Sequence, residues 1–407
     1  MKAIHGGVTA AKGFLAAAVE AGVKYKNRTD MALVCSEVPA VVAGVFTTNV
    51  VKAAPVKWCK KIVTEQELAQ AVVLNSGIAN ACTSYHGVLT NEAMADSVAK
   101  ELQVPTNYVL TASTGVIGMQ LPVERITAGG KKLVSALKGT LEAGHSAAKA
   151  IMTTDGYSKE CAVQVIIGGV MVTIGGMSKG SGMIHPNMAT MLSVVTTDVA
   201  ISKELLQEAL KDSVDRSFNM ISVDRDTSTN DTQILLANGL ACNKKIEEKG
   251  EDYETFLAAL SYVNENLAKQ MAKDGEGATK LFTTKVIGAK TKQEAVILSK
   301  SVITSNLVKT AVYGNDANWG RILCALGYAG VEFDPEVVDL YLESKAGSLK
   351  IVENGQATEY REDVATKILS EEEVTAICDM KMGDASATAW GCDLTYEYIR
   401  INGDYRS

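Results

Sequence analysis

The residue in this sequence best placed to do chemistry is a threonine at the junction of a turn and a strand. Thr190 ends the stretch Lys179-Gly180-Ser181-Gly182-Met183-Ile184-His185-Pro186-Asn187-Met188-Ala189-Thr190, and Met191-Leu192-Ser193-Val194-Val195 follows. The first part reads as a glycine-rich turn. Gly180 and Gly182 can take φ > 0 without a Cβ penalty, and Pro186 fixes its own φ and moves His185 out of the helical region. The second part reads as a buried strand. A peptide held under strain before a threonine hydroxyl is open to attack by that hydroxyl. The N-to-O acyl shift gives an ester, which water cleaves. The new chain begins at Thr190, whose free α-amine is a general base beside its own Oγ.

Other chemistries for the same glycines fail on spacing. Gly175 to Gly180 has the Walker interval, but Ser181 stands where lysine is required. Gly180-Ser181-Gly182 runs on through Met183, Ile184 and His185 with no third glycine, so it is not a dinucleotide loop. Two further places could assist a nucleophile. The strand Tyr108 to Ser113 runs into Thr114-Gly115, offering one hydroxyl and one backbone N–H at a turn, a pair able to donate to a developing oxyanion. Glu276 stands between Gly275 and Gly277, which allow a ligand to approach the backbone. The run Asp224-Arg225-Asp226-Thr227-Ser228-Thr229-Asn230-Asp231 lacks the glycine and terminal glutamate of a calcium loop. It reads instead as a polar network that satisfies buried backbone groups.

The elements that must position these residues are strands and helices in irregular order, which predicts an α+β layered fold rather than a doubly wound one. Strands are expected over 31–36 and 42–47 with Pro39 between them, over 71–74, and as two neighbours within 162–177 joined at Gly168-Gly169. Helices are expected over 91–102, 131–151, 202–217 and 252–273, the last with Phe256, Leu260, Val263, Leu267 and Met271 as its apolar stripe. Gly275 is expected as its left-handed cap. The alternation of Cys392, Leu394, Tyr396 and Tyr398 with polar residues predicts a final strand.

With 407 residues, 47% of them apolar, the chain can build a large core. Its net charge is −7 and it has no basic tract, which argues against nucleic acid. Eight scattered cysteines without a C-x-x-C pair point to reduced thiols, and no two of the four histidines share a metal-ligand spacing. No secretory or transit pattern is visible and no apolar run is long enough to span a membrane. The expectation is a cytoplasmic protein without metal, membrane or nucleic-acid partner.

Several runs together resemble the ornithine acetyltransferase family. They are the stretch around Ala189-Thr190, Asn75-Ser76-Gly77-Ile78-Ala79-Asn80-Ala81-Cys82-Thr83, Ser113-Thr114-Gly115, the 224–232 run, Asp316-Ala317-Asn318-Trp319-Gly320-Arg321, and Asn402-Gly403 near the end. The likeness runs from residue 5 to residue 407. Ile78 and Arg225 depart from it, since asparagine and glycine are common there. Trp319 and Arg321 read as packing and ion-pair residues, and His185 as a hydrogen-bonder in the turn.

The resemblance implies a layered α/β sandwich of the self-processing, threonine-nucleophile type. Cleavage between Ala189 and Thr190 would give an α chain of 1–189 and a β chain of 190–407, intertwined and assembled as α2β2. It implies transfer of an acetyl group from N-acetylornithine to glutamate through acetyl-Thr190, in cyclic arginine biosynthesis. Thr114 and Gly115 would form the oxyanion hole, and Thr153, Lys179, Thr190, Glu276, Asn402 and Ser407 would contact substrate. Charge suggests Lys179 for the α-carboxylate and Glu276 for the ornithine ammonium. No cofactor is implied. Whether acetyl-CoA is a second donor stays open, because members with and without that activity look alike. The rival readings are a self-cleaving amidase or aminopeptidase, with water as acceptor, and a non-catalytic amino-acid-binding protein on the same scaffold.

Overall fold

A computed structural model of the chain describes residues 1–185 and 191–404. They divide into two compact units. The first holds residues 1–180, 191–219 and 227–268; the second holds 181–185, 220–226 and 269–404.

The first unit is built on a nine-stranded mixed sheet. Its strands are β1 (Lys2–Ile4), β2 (Phe14–Val19), β3 (Met31–Phe46), β4 (Leu68–Asn75), β5 (Val109–Ser113), β6 (Lys159–Ile167), β7 (Val170–Lys179), β8 (Leu192–Thr197) and β9 (Thr232–Ala237). Their order is β1-β6-β7-β8-β9-β3-β4-β5, with β2 on β3. Alternate side chains point to opposite faces of a strand, and both faces here are apolar. Ala32, Val34, Val72 and Leu74 join one core with the helices Ala54–Glu65 and Leu141–Ala150. Met31, Leu33, Ala71 and Val73 join the other with Ser84–Leu102 and Val123–Ser135. Helices therefore cover both faces, which is the layered arrangement expected.

The second unit holds a six-stranded sheet in the order β13-β12-β11-β14-β10-β15. Its strands are β10 (Leu281–Ala289), β11 (Asp339–Ser344), β12 (Gly347–Glu353), β13 (Gln356–Ala357), β14 (Glu373–Asp379) and β15 (Ala385–Cys392). The helix Lys292–Thr304 packs on β10 and β15, and a full capping box at Thr291 and Glu294 fixes its start.

Four local expectations are corrected. Residues 31–46 form one strand through Pro39, not two. The pairing of β3 with β4 shifts register between Cys35 and Ala40, and proline, having no N–H to give, is tolerated at such an irregularity. The helix expected over 131–151 is two helices, because Thr140 caps a new one by accepting from the Ala143 N–H. The expected final strand stops at Cys392, and Tyr396–Gly403 is a helix capped by Thr395. Gly275 is not left-handed; Gly277 is, at φ +70°. A Cβ on Gly275 would lie 2.7 Å from the Cys392 sulfur, so space and not backbone conformation calls for glycine there. The hairpin of β6 and β7 turns at Gly168 and Gly169 as expected, at φ +55° and +80°, the signs a tight two-residue turn requires. Among the described residues no single helix is long and apolar enough to cross a membrane.

Leu74 is fully buried at the heart of the first core. Leu74→Ala removes its contacts and leaves a void, and should cost about 2–5 kcal/mol. Urea unfolding followed by tryptophan fluorescence checks this; a loss below ~1 kcal/mol would mean that the packing at β4 is not as described.

Candidate active site

The ends of β5 and β7 meet a loop in the first unit, and their polar residues converge there. Asn75, at the end of β4, sets the arrangement. Its carbonyl accepts the Thr114 N–H at 3.0 Å, its side-chain oxygen accepts the Ser113 hydroxyl at 2.6 Å, and its side-chain nitrogen donates to the Ile78 carbonyl at 2.9 Å. The Val116 N–H in turn reaches the Gly77 carbonyl at 3.1 Å. Gly115 lies between these bonds at φ +128°, and a Cβ on it would overlap the Gly77 carbonyl carbon. Glycine is required at 115 on both counts. Among the described residues the Gly115 N–H has no acceptor, so the Thr114-Gly115 turn carries an unspent donor.

Lys179 ends β7. Its ammonium donates to the Thr153 hydroxyl at 2.8 Å and to the Thr114 hydroxyl at 3.2 Å, and stands 3.8 Å from Asp155 Oδ2. Thr114, Thr153 and Lys179, three residues singled out separately in the sequence, are thus brought onto one nitrogen. A hydroxyl that accepts from an ammonium turns its own hydrogen away from it. Thr114 is left as a donor, polarised by the charge behind it.

Asp155 holds that cluster together. Oδ1 accepts from Lys159 Nζ at 2.8 Å and from the Gly180 N–H at 2.7 Å; Oδ2 accepts from the Thr153 N–H at 3.0 Å. The Asp155 and Lys159 side chains are wholly buried. Burial alone would push the Asp155 carboxyl up, but Lys179, Lys159 and its hydrogen bonds outweigh burial and hold it well below the usual carboxylate range. Asp231 behaves oppositely. It is 1% exposed and burial pushes it well above the ordinary value, against weaker opposition from the Ser228 and Thr47 hydroxyls, the Lys179 charge and the Met191 N–H. Two buried acids near one lysine are therefore shifted in opposite directions. Asn230 donates to the Ala79 and Ser113 carbonyls, so the 227–231 run satisfies buried backbone as expected.

The second unit carries a separate constellation. Glu276 is buried, and its N–H donates to the Ser181 carbonyl at 2.9 Å. Asn402 Nδ2 donates to Glu276 Oε2 at 2.7 Å, so two further candidates, 126 residues apart in sequence, touch. Gly182 is not left-handed; a Cβ there would overlap the Glu276 carboxylate, and that is why it is glycine. Asp224 accepts the Met183 N–H at 2.6 Å and the Ile184 N–H at 2.8 Å. His185 Nδ1 pairs with the Ser222 hydroxyl at 3.1 Å. Burial, then the positive charges of Lys300 and Arg225, bring its pKa down to about 4, so it is neutral at pH 7. Ala189, Thr190 and Ser407 lie outside the described residues.

Asp155, Lys159 and Asp231 were not among the sequence candidates for the site. Thr153-Thr154-Asp155 reads in sequence as capping chemistry, and nothing in an isolated lysine announces complete burial.

The ArgJ family matches residues 15–407. An arginine biosynthesis bifunctional protein ArgJ from Caldanaerobacter subterraneus subsp. tengcongensis is 49% identical over 407 residues, covering 100% of both chains. One from Symbiobacterium thermophilum is 50% identical over 409 residues, again covering 100% of both. Among solved structures, the crystal structure of the protein of that name from Bacillus halodurans is 45% identical with a TM-score of 0.50, over 53% of this chain and 99% of that one.

Asp155→Asn should destabilise the protein by about 3–5 kcal/mol at pH 7, because it strands buried cations. The sign with pH follows from the depressed carboxyl. Its contribution is complete above its unfolded value of about 3.9 and is lost as pH falls below that toward the folded value. The gap between wild type and Asp155→Asn in urea midpoint should therefore narrow below pH ~4. A gap that stays constant from pH 7 down to pH 3 would mean that the carboxylate charge is not what the cluster uses.

Proposed function

The chain belongs to the ArgJ family, and we propose that Thr190 is the nucleophile of its acetyltransferase reaction and is released by self-cleavage after Ala189. The enzyme is an ornithine acetyltransferase of arginine biosynthesis. The observation that carries the residue-level reading is the single ammonium of Lys179 bonded to both Thr114 and Thr153. It leaves a hydroxyl and the Gly115 N–H as paired donors, which is what an acyl transfer needs.

In this reading Thr190 Oγ attacks the acetamide carbon of N-acetylornithine while its α-amine takes the hydroxyl proton. Such amines titrate near 7.7–8.0 when unperturbed, so part of the population is neutral at pH 7. Thr114 and Gly115 hold the oxyanion, worth about 2.7–4 kcal/mol per donor. The C–N bond breaks, the proton passes to the departing ornithine amine, and acetyl-Thr190 remains. The amine of glutamate then attacks the ester, its proton returns through the α-amine, and N-acetylglutamate leaves. Glu276, with Asn402, receives the ornithine side-chain ammonium; Thr153, Lys179 and Ser407 serve the amino-acid backbone groups. Acetyl-CoA as an alternative donor to Thr190 is the second activity that the word bifunctional in the relatives' names suggests for this chain.

Cleavage would give pieces of 189 and 218 residues. The Bacillus halodurans crystal chain is matched over 99% of its length by 53% of this one; a 218-residue piece is 218/407, about 54%, which supports the reading. β8 and β9 follow the bond and share a sheet with β1 to β7, which precede it, so the pieces would stay joined after cleavage. We extend the reading to an α2β2 assembly in the cytoplasm, which sedimentation of the purified protein and cell fractionation would check.

Denaturing mass spectrometry should find the two pieces and no full-length chain. Thr190→Ala should remain intact and exchange no labelled acetyl groups between N-acetylornithine and glutamate; exchange by that variant would put the nucleophile elsewhere. Thr114→Ala should lower kcat by roughly 10²–10³ with KM little changed, since the bond strengthens only as the oxyanion forms. An unchanged kcat with a raised KM in stopped-flow assays would make Thr114 a binding residue instead.

A further inference from the structure

Two sequence features have no part in the reaction above: Arg225, which departs from the family resemblance, and the Asn318-Trp319-Gly320-Arg321 signature. Arg225 and, from the signature, Asn318, Gly320 and Arg321 line one cleft of the second unit, about 370 Å³ in volume, within the ~300–1,000 Å³ usual for small-ligand sites. Asn306 and Leu307 form a wall of it, with Tyr328 and Cys324 exposed at the edge.

We propose that this cleft is a binding site for the phosphate groups of a small phosphorylated ligand, separate from the acetyl-transfer chemistry.

Charge is the first argument. No acidic side chain lines the cleft and two guanidiniums do. Among the described residues neither arginine has a carboxylate partner. Arg321 is held, among the described residues, through one nitrogen: Nη1 donates to the Leu307 carbonyl at 2.8 Å and to the Thr310 hydroxyl at 3.3 Å. Its remaining donors keep the planar fork that suits phosphate oxygens.

The second argument is conformational. Arg225 sits at φ +71°, where a side chain is strained and glycine is at ease. Its neighbour Asp224 is already committed to the Met183 and Ile184 N–H groups and to the Asp226 N–H at 3.2 Å. An arginine kept in a glycine conformation, with no ion pair to justify it, is accounted for by something that binds the guanidinium.

The third is the backbone. The helices Asn306–Tyr313 and Trp319–Gly327 both begin at the cleft. The caps Ser305 and Asn318 take the Val308 and Arg321 N–H groups, and the Trp319 N–H is spent on the Ala317 carbonyl at 2.8 Å, so the first turns offer an anion the Asn306 and Leu307 N–H groups of one helix and the Gly320 N–H of the other. Two arginines together with the first-turn N–H groups of Asn306, Leu307 and Gly320 exceed what one carboxylate can use and match a dianionic phosphate or a diphosphate.

Titration calorimetry on the purified full-length protein, at low salt, tests this with pyrophosphate, adenosine 3′,5′-bisphosphate and acetate. Pyrophosphate or the bisphosphate should bind, and acetate should bind at least tenfold more weakly. Tighter binding of the bisphosphate than of pyrophosphate identifies a nucleotide as the source of the phosphate; the reverse identifies a free phosphate. Arg225→Gly fits its backbone better than arginine, so folding is not at risk. It should weaken binding at least tenfold while acetyl exchange between N-acetylornithine and glutamate stays within twofold. Arg321→Gln should weaken binding similarly. Absence of phosphate binding to wild type at millimolar concentration, equal binding of acetate, or undiminished binding by Arg225→Gly would each overturn the proposal. None of these outcomes bears on Thr190 or on acetyl transfer.

Discussion

The Asp155 carboxylate is the constraint on which the first unit's polar cluster depends. It is buried, it stays ionised, and every bond it makes is to a residue that matters nearby: the Lys159 ammonium, the Gly180 N–H and the Thr153 N–H, with the Lys179 ammonium at 3.8 Å. A buried carboxylate survives only if its charge is matched and its lone pairs are used. Here both conditions are met by groups that must then hold still. The ends of β6 and β7 and the 153–155 turn are locked to one another by the requirement that this charge not be stranded.

From that lock the rest of the cluster follows. Lys179 cannot move without abandoning Asp155, and from that position it donates to Thr153 and Thr114. Thr114 is pinned from its other side by Asn75, and Gly115 by the close approach of Gly77. The glycine at 115 is thus less a matter of flexibility than of two backbones in contact. The neighbouring acid, Asp231, has no cation at bonding distance among the described residues, and burial pushes its carboxyl up instead. One lysine and two acids give one carboxyl pushed down and one pushed up, a division set by which acid holds the ion pair.

The second unit repeats the theme with different groups. Glu276 is held by Asn402 and by its own N–H on Ser181, and Gly182 is emptied of side chain to admit it. In both units the glycines of the 175–182 region are explained by what stands beside them. Gly175 faces the Gly7 carbonyl, Gly176 faces Leu267 and Val263, and Gly182 faces Glu276. A glycine-rich sequence that looks like a flexible loop is for the most part a tightly packed strand and turn.

The sequence by itself determined those features that are local or periodic. The Gly168-Gly169 hairpin, the helix Lys203–Arg216 capped by Ser202, and the helix Glu251–Lys273 with its apolar stripe follow from spacing, caps and turn chemistry acting over a few residues. The α+β layering follows from their irregular order. Motif likeness picked out Thr114, Thr153, Lys179, Glu276 and Asn402 one at a time. Only the tertiary structure decided that three of them share one ammonium and that the last two touch, because those contacts join residues 26 to 126 positions apart. It also decided that residues 31–46 are one strand, since a register shift opposite Pro39 is a property of the pair and not of either segment. The final helix, read as a strand from its alternation, turned on a capping bond that the Thr395 hydroxyl accepts from the Glu397 N–H and that outweighed the pattern. And the charge of Asp155 was invisible in sequence because it rests on Lys159 being wholly buried, which no single position can announce.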